Sequence, residues 1–336
     1  MRPIAEQTVL ITGATDGLGK GLAMELARAG ATILVHGRDD DRGKAALADI
    51  TAATGSDRLR WYRADLAHLD QVRDLAAAVA TDTPRLDALV SNAGIGTDTP
   101  PGGRQESADG IELRFAVNYL AGFLLTRLLL PTLRACAPAR IVHVSSAGQA
   151  AIDFDDVMLT RSYSGVQAYC QSKLAQIMFT FDLADELAAT SVTATALHPA
   201  TYMPTKMVPR PISTLQSGID ATLRLVIDPV LDGVTGRYYD GQREARADPQ
   251  AYDPVARARL RTLSEQLTGL PQSSHEAWPD QPCVLSPPIW SRSTGTSASF
   301  STSRSELGSA TTVTSTPLLS QGFGVCGFGE LMPILW

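Results

Sequence analysis

Short runs of β-branched and apolar residues alternate with longer alanine- and leucine-rich stretches as far as about residue 240. Thr8–Thr12, Thr32–His36, Leu59–Ala64, Leu86–Ser91, Ile141–Ser145, Val192–Leu197 and Arg237–Tyr239 read as strands. Between them Gly19–Ala29, Leu69–Ala80 and Leu174–Leu187 read as helices. In the last, Leu174, Ile177, Met178, Phe181, Ala184 and Leu187 recur at helical spacing, which predicts one buried face. Strands joined by helix-length connections imply parallel pairing, because a parallel crossover needs a connection of that size. The expected class is α/β, one parallel sheet with helices on both faces.

The most apolar stretch, Val117 to Leu130, is interrupted by Arg127 and stopped by Pro131, so it predicts a buried helix and no membrane span. After about residue 270 the pattern dissolves. Five prolines between Pro271 and Pro288 break any helix, and Ser291–Thr316 is mostly serine and threonine. Such a composition does not offset the entropy of ordering a backbone. The expected organisation is one domain over 1–270 and a disordered tail over 271–336.

Composition narrows the class. Hydrophobic residues make up 44% of the chain and charged residues 19%, enough for a sizeable core, and the net charge of -6 lacks the basic footprint of a nucleic-acid binder. Cys136, Cys170, Cys283 and Cys326 lie far apart, without metal-ligand spacing or a disulfide framework. A strand-like run begins almost at once, at Thr8, so no signal peptide is expected, and a soluble cytoplasmic protein is the default.

Directly after the first strand comes Thr12-Gly13-Ala14-Thr15-Asp16-Gly17-Leu18-Gly19, opening into a helix. Glycines there permit a tight turn and let the backbone approach a pyrophosphate, while the helix N-terminus presents free N–H groups to the anion. An ordinary βα turn is the plain alternative, since a glycine cluster alone is weak evidence. The second strand ends in His36-Gly37-Arg38. An arginine in this place accommodates a 2′-phosphate and favours NADP over NAD, although Asp39, Asp40 and Asp41 follow and one of them could reach a ribose. At the third strand's end Asp65-Leu66 could meet an adenine. The fourth runs into Ser91-Asn92-Ala93-Gly94, at the carboxyl edge where ligands bind in open α/β sheets.

The reactive groups come next. Ser145-Ser146 closes the fifth strand, and Tyr169-Cys170-Gln171-Ser172-Lys173 opens a helix. Tyr169 and Lys173 are i and i+4, on one helical face. A free tyrosine has a pKa of about 10, and a nearby ammonium would lower it towards the range useful for acid–base work. A serine hydroxyl could hydrogen-bond a substrate oxygen on which charge develops. The Tyr/Lys spacing is common by itself; its place downstream of the glycine turn makes it specific.

In this order, TGATDGLG (12–19), DL (65–66), SNAG (91–94), FAVNYLAG (115–122), HVSSAG (143–148), YCQSK (169–173) and HPATYMPT (198–205) resemble the classical short-chain dehydrogenases/reductases, over roughly 4–265. The resemblance implies a single-domain Rossmann-like, doubly wound sheet of about seven parallel strands. It implies a catalytic tetrad of Asn118, Ser146, Tyr169 and Lys173: the tyrosine as general acid/base, the lysine also holding the nicotinamide ribose, the asparagine supporting a water relay and the serine polarising the carbonyl. Cofactor contacts are expected from Gly13, Thr15, Asp16, Gly17, Leu18, Gly19, Arg38, Asp65, Leu66, Asn92, Ala93, Gly94, Tyr169, Lys173, Pro199 and Thr201. SNAG stands where NNAG is commoner, and His143 where an asparagine is frequent. The 23-residue spacing from Ser146 to Tyr169, with FTFDLADEL (179–187) and GRYYDG (236–241), is similar to the retinol dehydrogenase and light-dependent protochlorophyllide reductase branch.

The expected activity is interconversion of a lipophilic ketone or aldehyde and its alcohol with NADP(H), with no metal. Family members are commonly dimers or tetramers, so a homo-oligomer is the analogy. Asp153, Asp155 and Asp156 are expected to border the substrate pocket, 199–217 to form a lid, His143 to be a satisfied core histidine and His198 to be positional. A non-catalytic NADP-binding sensor or scaffold is the alternative, disfavoured because both Tyr169 and Lys173 are present. A sugar-nucleotide epimerase is disfavoured by the glycine spacing.

Overall fold

A computed structural model of the chain describes residues 1–98, 101–205 and 210–272. The segment 273–336, nearly all of the expected tail, lies outside the described residues. Eight strands form one sheet: β1 (Thr8–Ile11), β2 (Thr32–Gly37), β3 (Leu59–Arg63), β4 (Ala88–Ser91), β5 (Ala139–Val144), β6 (Val192–His198), β7 (Arg237–Asp240) and β8 (Arg243–Ala245). Their order is β3-β2-β1-β4-β5-β6-β7-β8. β1 pairs in parallel with both β2 and β4, so the order in which strands are added reverses there and opens a crevice at the carboxyl edge.

The helices are α1 (Gly17–Arg28), α2 (Asp40–Thr54), α3 (Leu69–Asp82), α4 (Ala121–Ala135, preceded by a π-turn over Phe115–Leu120), α5 (Gly165–Glu186), α6 (Leu215–Ile227) and α7 (Pro254–Thr268). Period-two alternation divides the strands between two cores. Leu10, Leu34, Leu89 and Ile141 point into the core shared with α3, α4 and α5. Val9, Ile11, Ile33, Val35, Val90 and Val142 point to the opposite side, against α1 and α6. Each fully buried Leu, Ile or Val contributes roughly 1.5–3 kcal/mol of apolar transfer.

Four expectations change. An eighth strand follows the seven, antiparallel to β7 through a tight turn with Gly241 at φ 57°. Its signal was present as Gly241, since a glycine at the first position of a two-residue loop, here Gly241-Gln242, favours a hairpin. The helix carrying Tyr169 begins earlier, at Gly165, where Ser164 caps Gln167 N. It is not one-faced: residues 171 to 181 are buried all round, between the sheet and neighbouring helices. Finally, α4 runs through Pro131 to Ala135. With the π-turn it makes a 21-residue segment long and apolar enough to cross a membrane, and 72% of its most apolar window is buried inside the fold.

Candidate active site

The glycine turn is held by neutral side chains. Thr12 Oγ1 accepts from the backbone N–H groups of Asn92 and Ala93 at 2.9 and 3.0 Å. Asn92 Nδ2 donates to the carbonyls of Thr12 and Gly13 at 2.8 and 3.2 Å. Asn92 thus binds the turn itself, and the SNAG and TGATDGLG segments form one unit. Gly13 and Gly17 sit at φ 64° and 49°, where a side chain is strained. At Gly19 a Cβ would lie 2.5 Å from the carbonyl oxygen of Gly13 and 2.6 Å from Asn92 Nδ2, so only glycine fits. Asp16 accepts from Gly17 N and caps α1, whose first turn faces the crevice mouth. Thr15 packs where a Cβ at Gly37 would stand, joining this turn to the end of β2, and Leu18 is buried beneath it.

His36 escaped the sequence reading, and it is central. Its Nδ1 accepts from Gly13 N at 3.2 Å, and its Nε2 lies 3.1 Å from Ala64 O, so the proton sits on Nε2. Burial holds the ring neutral, lowering its pKa to about 4. The ring ties the glycine turn to the end of β3. There Asp65 accepts from Ala67 N at 3.0 Å and Leu66 is buried. The three aspartates after Arg38 are engaged locally. Asp39 caps α2, Asp40 accepts from Trp61 Nε1 at 2.8 Å, and Asp41 pairs with Lys44. Arg38 is exposed at the end of β2.

At the other end of the crevice Asn118 lies in the π-turn. Its Oδ1 accepts from Ile95 N at 2.7 Å, and its Nδ2 donates to Ile95 O and Ser172 Oγ. A Cβ on Gly94 would meet Asn118 Oδ1 at 3.2 Å and Lys173 Nζ at 3.6 Å, so these three converge. Lys173 is buried, and its Nζ donates to Val144 O and to Gln176 Oε1, both at 3.0 Å. Ser145 and Ser146 separate cleanly. Ser145 Oγ donates to Lys173 O at 2.7 Å and so faces α5. Ser146 Oγ accepts from Gly148 N and lies beside Tyr169: a Cβ on Gly148 would meet Ser146 Oγ at 3.5 Å and Tyr169 Cε1 at 3.8 Å.

The electrostatics differ from the sequence expectation. Burial pushes the Tyr169 phenol above its ordinary value, with hydrogen bonding to Ser146 pulling the other way. Lys173 Nζ stands 5.6 Å from the tyrosine ring centroid, and burial lowers its own pKa to about 7. The same dry environment that would strengthen an ammonium's field also disfavours the ammonium. Among neighbours, Tyr238 donates to Ser146 O at 3.0 Å and is raised by burial. His198 is held below its ordinary pKa by burial, and its Nε2 lies 3.0 Å from Thr201 Oγ1, a bond that ties the start of the segment after Pro199 to β6.

A second set of residues, also missed, supports the pocket side. Arg114 is almost fully buried and donates to Gly96 O, Thr97 O and Tyr163 Oη at 2.6–2.8 Å. Glu112 lies 3.7 Å from it and accepts from Phe115 N and Tyr163 Oη. At Gly165 a Cβ would overlap the carbonyl of Thr97. The segment after SNAG is therefore clamped to the start of α5. Asp153 and Asp156 fold the 147–164 insertion on itself through Asp155 N, Thr160 and Arg161. Asp155 reaches Arg259 on α7. His143 is half satisfied: Nδ1 lies 2.8 Å from Thr180 Oγ1, while Nε2 is buried without a partner. Among the described residues, no cluster of His, Cys, Asp and Glu could hold a metal ion.

A glycine turn at the switch point of a doubly wound sheet, with a Ser/Tyr/Lys group at its carboxyl edge, defines a nucleotide-dependent oxidoreductase. The family described as short chain dehydrogenase matches residues 7–214, and the chain belongs to it. It is an NAD(P)-dependent enzyme acting between alcohol and carbonyl groups. Human "Retinol dehydrogenase 13" is 36% identical over 288 residues, covering 80% of this chain and 86% of that protein. Human "Retinol dehydrogenase 14" is 35% identical, covering 79% and 87%. Among solved structures, an uncharacterized protein from Mycobacterium Paratuberculosis superposes with a TM-score of 0.65 at 31% identity, over 80% of this chain and 96% of that one. A short chain dehydrogenase from Shigella flexneri complexed with NADP gives a TM-score of 0.58 at 25% identity, over 70% and 97%.

Proposed function

We propose that the protein is an NADP(H)-dependent reductase or dehydrogenase for a lipophilic aldehyde, ketone or alcohol. The observation that carries this is the convergence of Ser146, Tyr169, Lys173 and Asn118 behind the glycine turn. The residues suit a dinucleotide: Gly13, Thr15, Asp16, Gly17, Leu18 and Gly19 would receive the pyrophosphate, and Asp65 and Leu66 the adenine. Asn92, Ala93 and Gly94 with Tyr169 and Lys173 would line the ribose next to the nicotinamide, and Pro199 and Thr201 the carboxamide. Arg38 would take the 2′-phosphate. Support for NADP comes from the local engagement of Asp39, Asp40 and Asp41, which leaves an arginine and no uncommitted carboxylate among these residues at the end of β2.

When bound, the nicotinamide supplies or accepts a hydride. The chain's own residues handle the proton and the charge. Tyr169 gives its phenolic proton to the substrate oxygen in reduction and takes it back in oxidation. Its raised pKa keeps it protonated in the resting enzyme, which suits reduction. Ser146 Oγ donates to the same oxygen as charge develops. Lys173, when charged, stabilises the phenolate, and Asn118 anchors the 95–97 segment against the π-turn. The lipophilic substrate is supported by the retinol dehydrogenase relatives. It is also supported by exposed apolar side chains on segments near the carboxyl edge, Val166 on the first turn of α5 and Tyr202 and Ile212 after β6.

The test is oxidation of NADPH and NADH with long-chain aldehydes, retinoid-like aldehydes, quinones and ketones. Tyr169→Phe should retain NADPH binding within a few-fold and lose turnover by at least about 10³-fold, within the range for removal of an acid–base group. Tight NADPH binding without turnover on any carbonyl would favour the sensor reading.

A further inference from the structure

One turn beyond Lys173, α5 carries a polar side chain that the reaction as described leaves without a role. Gln176 is only 2% exposed, and its Oε1 accepts from Lys173 Nζ at 3.0 Å. The other end of the amide finds nothing, since Nε2 is buried without a hydrogen-bond partner. Leaving a buried donor unmatched is costly, so packing alone favours a leucine at this position. Its orientation follows from chemistry. Turned over, the amide would set N–H donors against an amine that already donates.

The groups around Lys173 offer it no countercharge. Tyr169 and Cys170 share its helix, and burial raises both. His143 on β5, lowered to about 4, is neutral. His198 on β6 is lowered by burial and by Lys173 itself, while Asp240 on β7 acts on His198. Tyr238 on β7 is raised, and Asn118 in the π-turn does not ionise. Among the described residues, Lys173 Nζ has two acceptors, a backbone carbonyl and this amide.

We propose that Gln176 is a positioning residue that keeps Lys173 charged inside the protein without cancelling that charge. A neutral amide oxygen favours the ammonium over the amine by accepting from it, yet leaves its field to act on Tyr169. A carboxylate in the same place would also favour the ammonium and would neutralise the field. The inference rests on the proposed acid–base role of Tyr169 for its catalytic meaning, but its first test needs neither cofactor nor turnover.

The chain has four lysines, Lys20, Lys44, Lys173 and Lys206. With ¹³C-labelled lysine in the full-length, cofactor-free protein, loss of a signal in Lys173→Met assigns the buried amine. Its titration is expected near pH 7, in line with a burial-lowered value of about 7. Gln176→Leu should move the inflection down, and Gln176→Glu up, each by about one unit, a tenfold change in the equilibrium. An inflection that stays put in both variants, or moves the same way in both, overturns the proposal. If the buried glutamate prevents folding, Gln176→Met replaces it, and an unmoved inflection in both apolar variants is decisive. In turnover, the leucine and glutamate variants should shift the pH profile of alcohol oxidation upward, because each removes uncompensated positive charge beside Tyr169; an unchanged profile overturns the link to the tyrosine. Full turnover by Tyr169→Phe would instead overturn the reaction assignment and leave the lysine titration standing.

Discussion

At the glycine turn, Thr12, Asn92 and His36 are uncharged, and their hydrogen bonds join the backbone of three strands. At the reacting end, Lys173 and the Glu112–Arg114 pair bring charge into the interior, and Gln176 and His143 each leave a buried nitrogen unmatched. The first end is a fixed, neutral receptor, suited to an anion that brings its own charge. The second carries Lys173, whose protonation is adjustable because burial opposes its charged form. Neutral hydrogen bonding marks one end and buried charge the other.

The largest expected effect comes from breaking the charged end. Arg114→Met leaves Glu112 buried without its countercharge and should lower stability by about 3–5 kcal/mol in urea unfolding. It should also raise the KM for the carbonyl substrate while NADPH binding changes little, since Arg114 holds the segment at Gly96 and Thr97. A loss of NADPH affinity equal to the loss for substrate would erase the distinction between the two ends.

Next come the adjacent serines. Ser146→Ala should lower kcat by about 10²–10³, the size seen for one lost oxyanion donor. Ser145→Ala removes a hydrogen bond to Lys173 O and should cost about 1 kcal/mol of stability with a far smaller effect on kcat. Comparable kinetic losses in the two would contradict the orientation described for them.

Acid sharpens the comparison, because both ends contain buried histidines held below their ordinary pKa. His36 and His143 both lie at about 4, below their ordinary 6.5. The unfolded chain therefore binds protons first. The stability each contributes is fully present above pH 6.5 and is lost as the pH falls from there through about 4. The shift corresponds to about 3 kcal/mol per histidine as an upper figure. Unfolding midpoints between pH 7.5 and 4.5 should fall accordingly and fall less in His36→Gln or His143→Gln. Only the first should weaken NADPH binding; equal weakening in both would argue against a special role for the ring on Gly13. The smallest effect is at Arg38, where replacement by serine should cut the preference for NADPH over NADH by about tenfold, the value of one lost charge-assisted contact. An unchanged ratio would return the choice of cofactor to the neighbouring aspartates.

Much of this was legible from residue order. The alternating pattern yielded seven of the eight strands, each within a few residues of its observed ends, because parallel strands buried on both faces read as short apolar runs. The glycines, Ser146, Tyr169 and Lys173 were legible because backbone approach and proton transfer demand particular residue types. His36, Arg114 and Gln176 were not. Each acts through a partner distant in sequence or through an orphaned atom, and nothing in the order of residues distinguishes a histidine on Gly13 from one facing solvent. The tyrosine's electrostatics also escaped, because the i, i+4 spacing that brings a lysine near says nothing about how dry its surroundings are. The eighth strand, by contrast, could have been found from Gly241, the first residue of the two-residue loop.

The close approach at Gly165 has a practical meaning for altering selectivity. Because the carbonyl of Thr97 occupies the space where a side chain would begin, the segment after SNAG and the first turn of the helix bearing Tyr169 form one mechanical unit. A side chain added at Gly165 would force the carbonyl of Thr97 or the start of that helix to shift. Libraries meant to alter selectivity would therefore do better to vary the two segments together, or to leave both fixed.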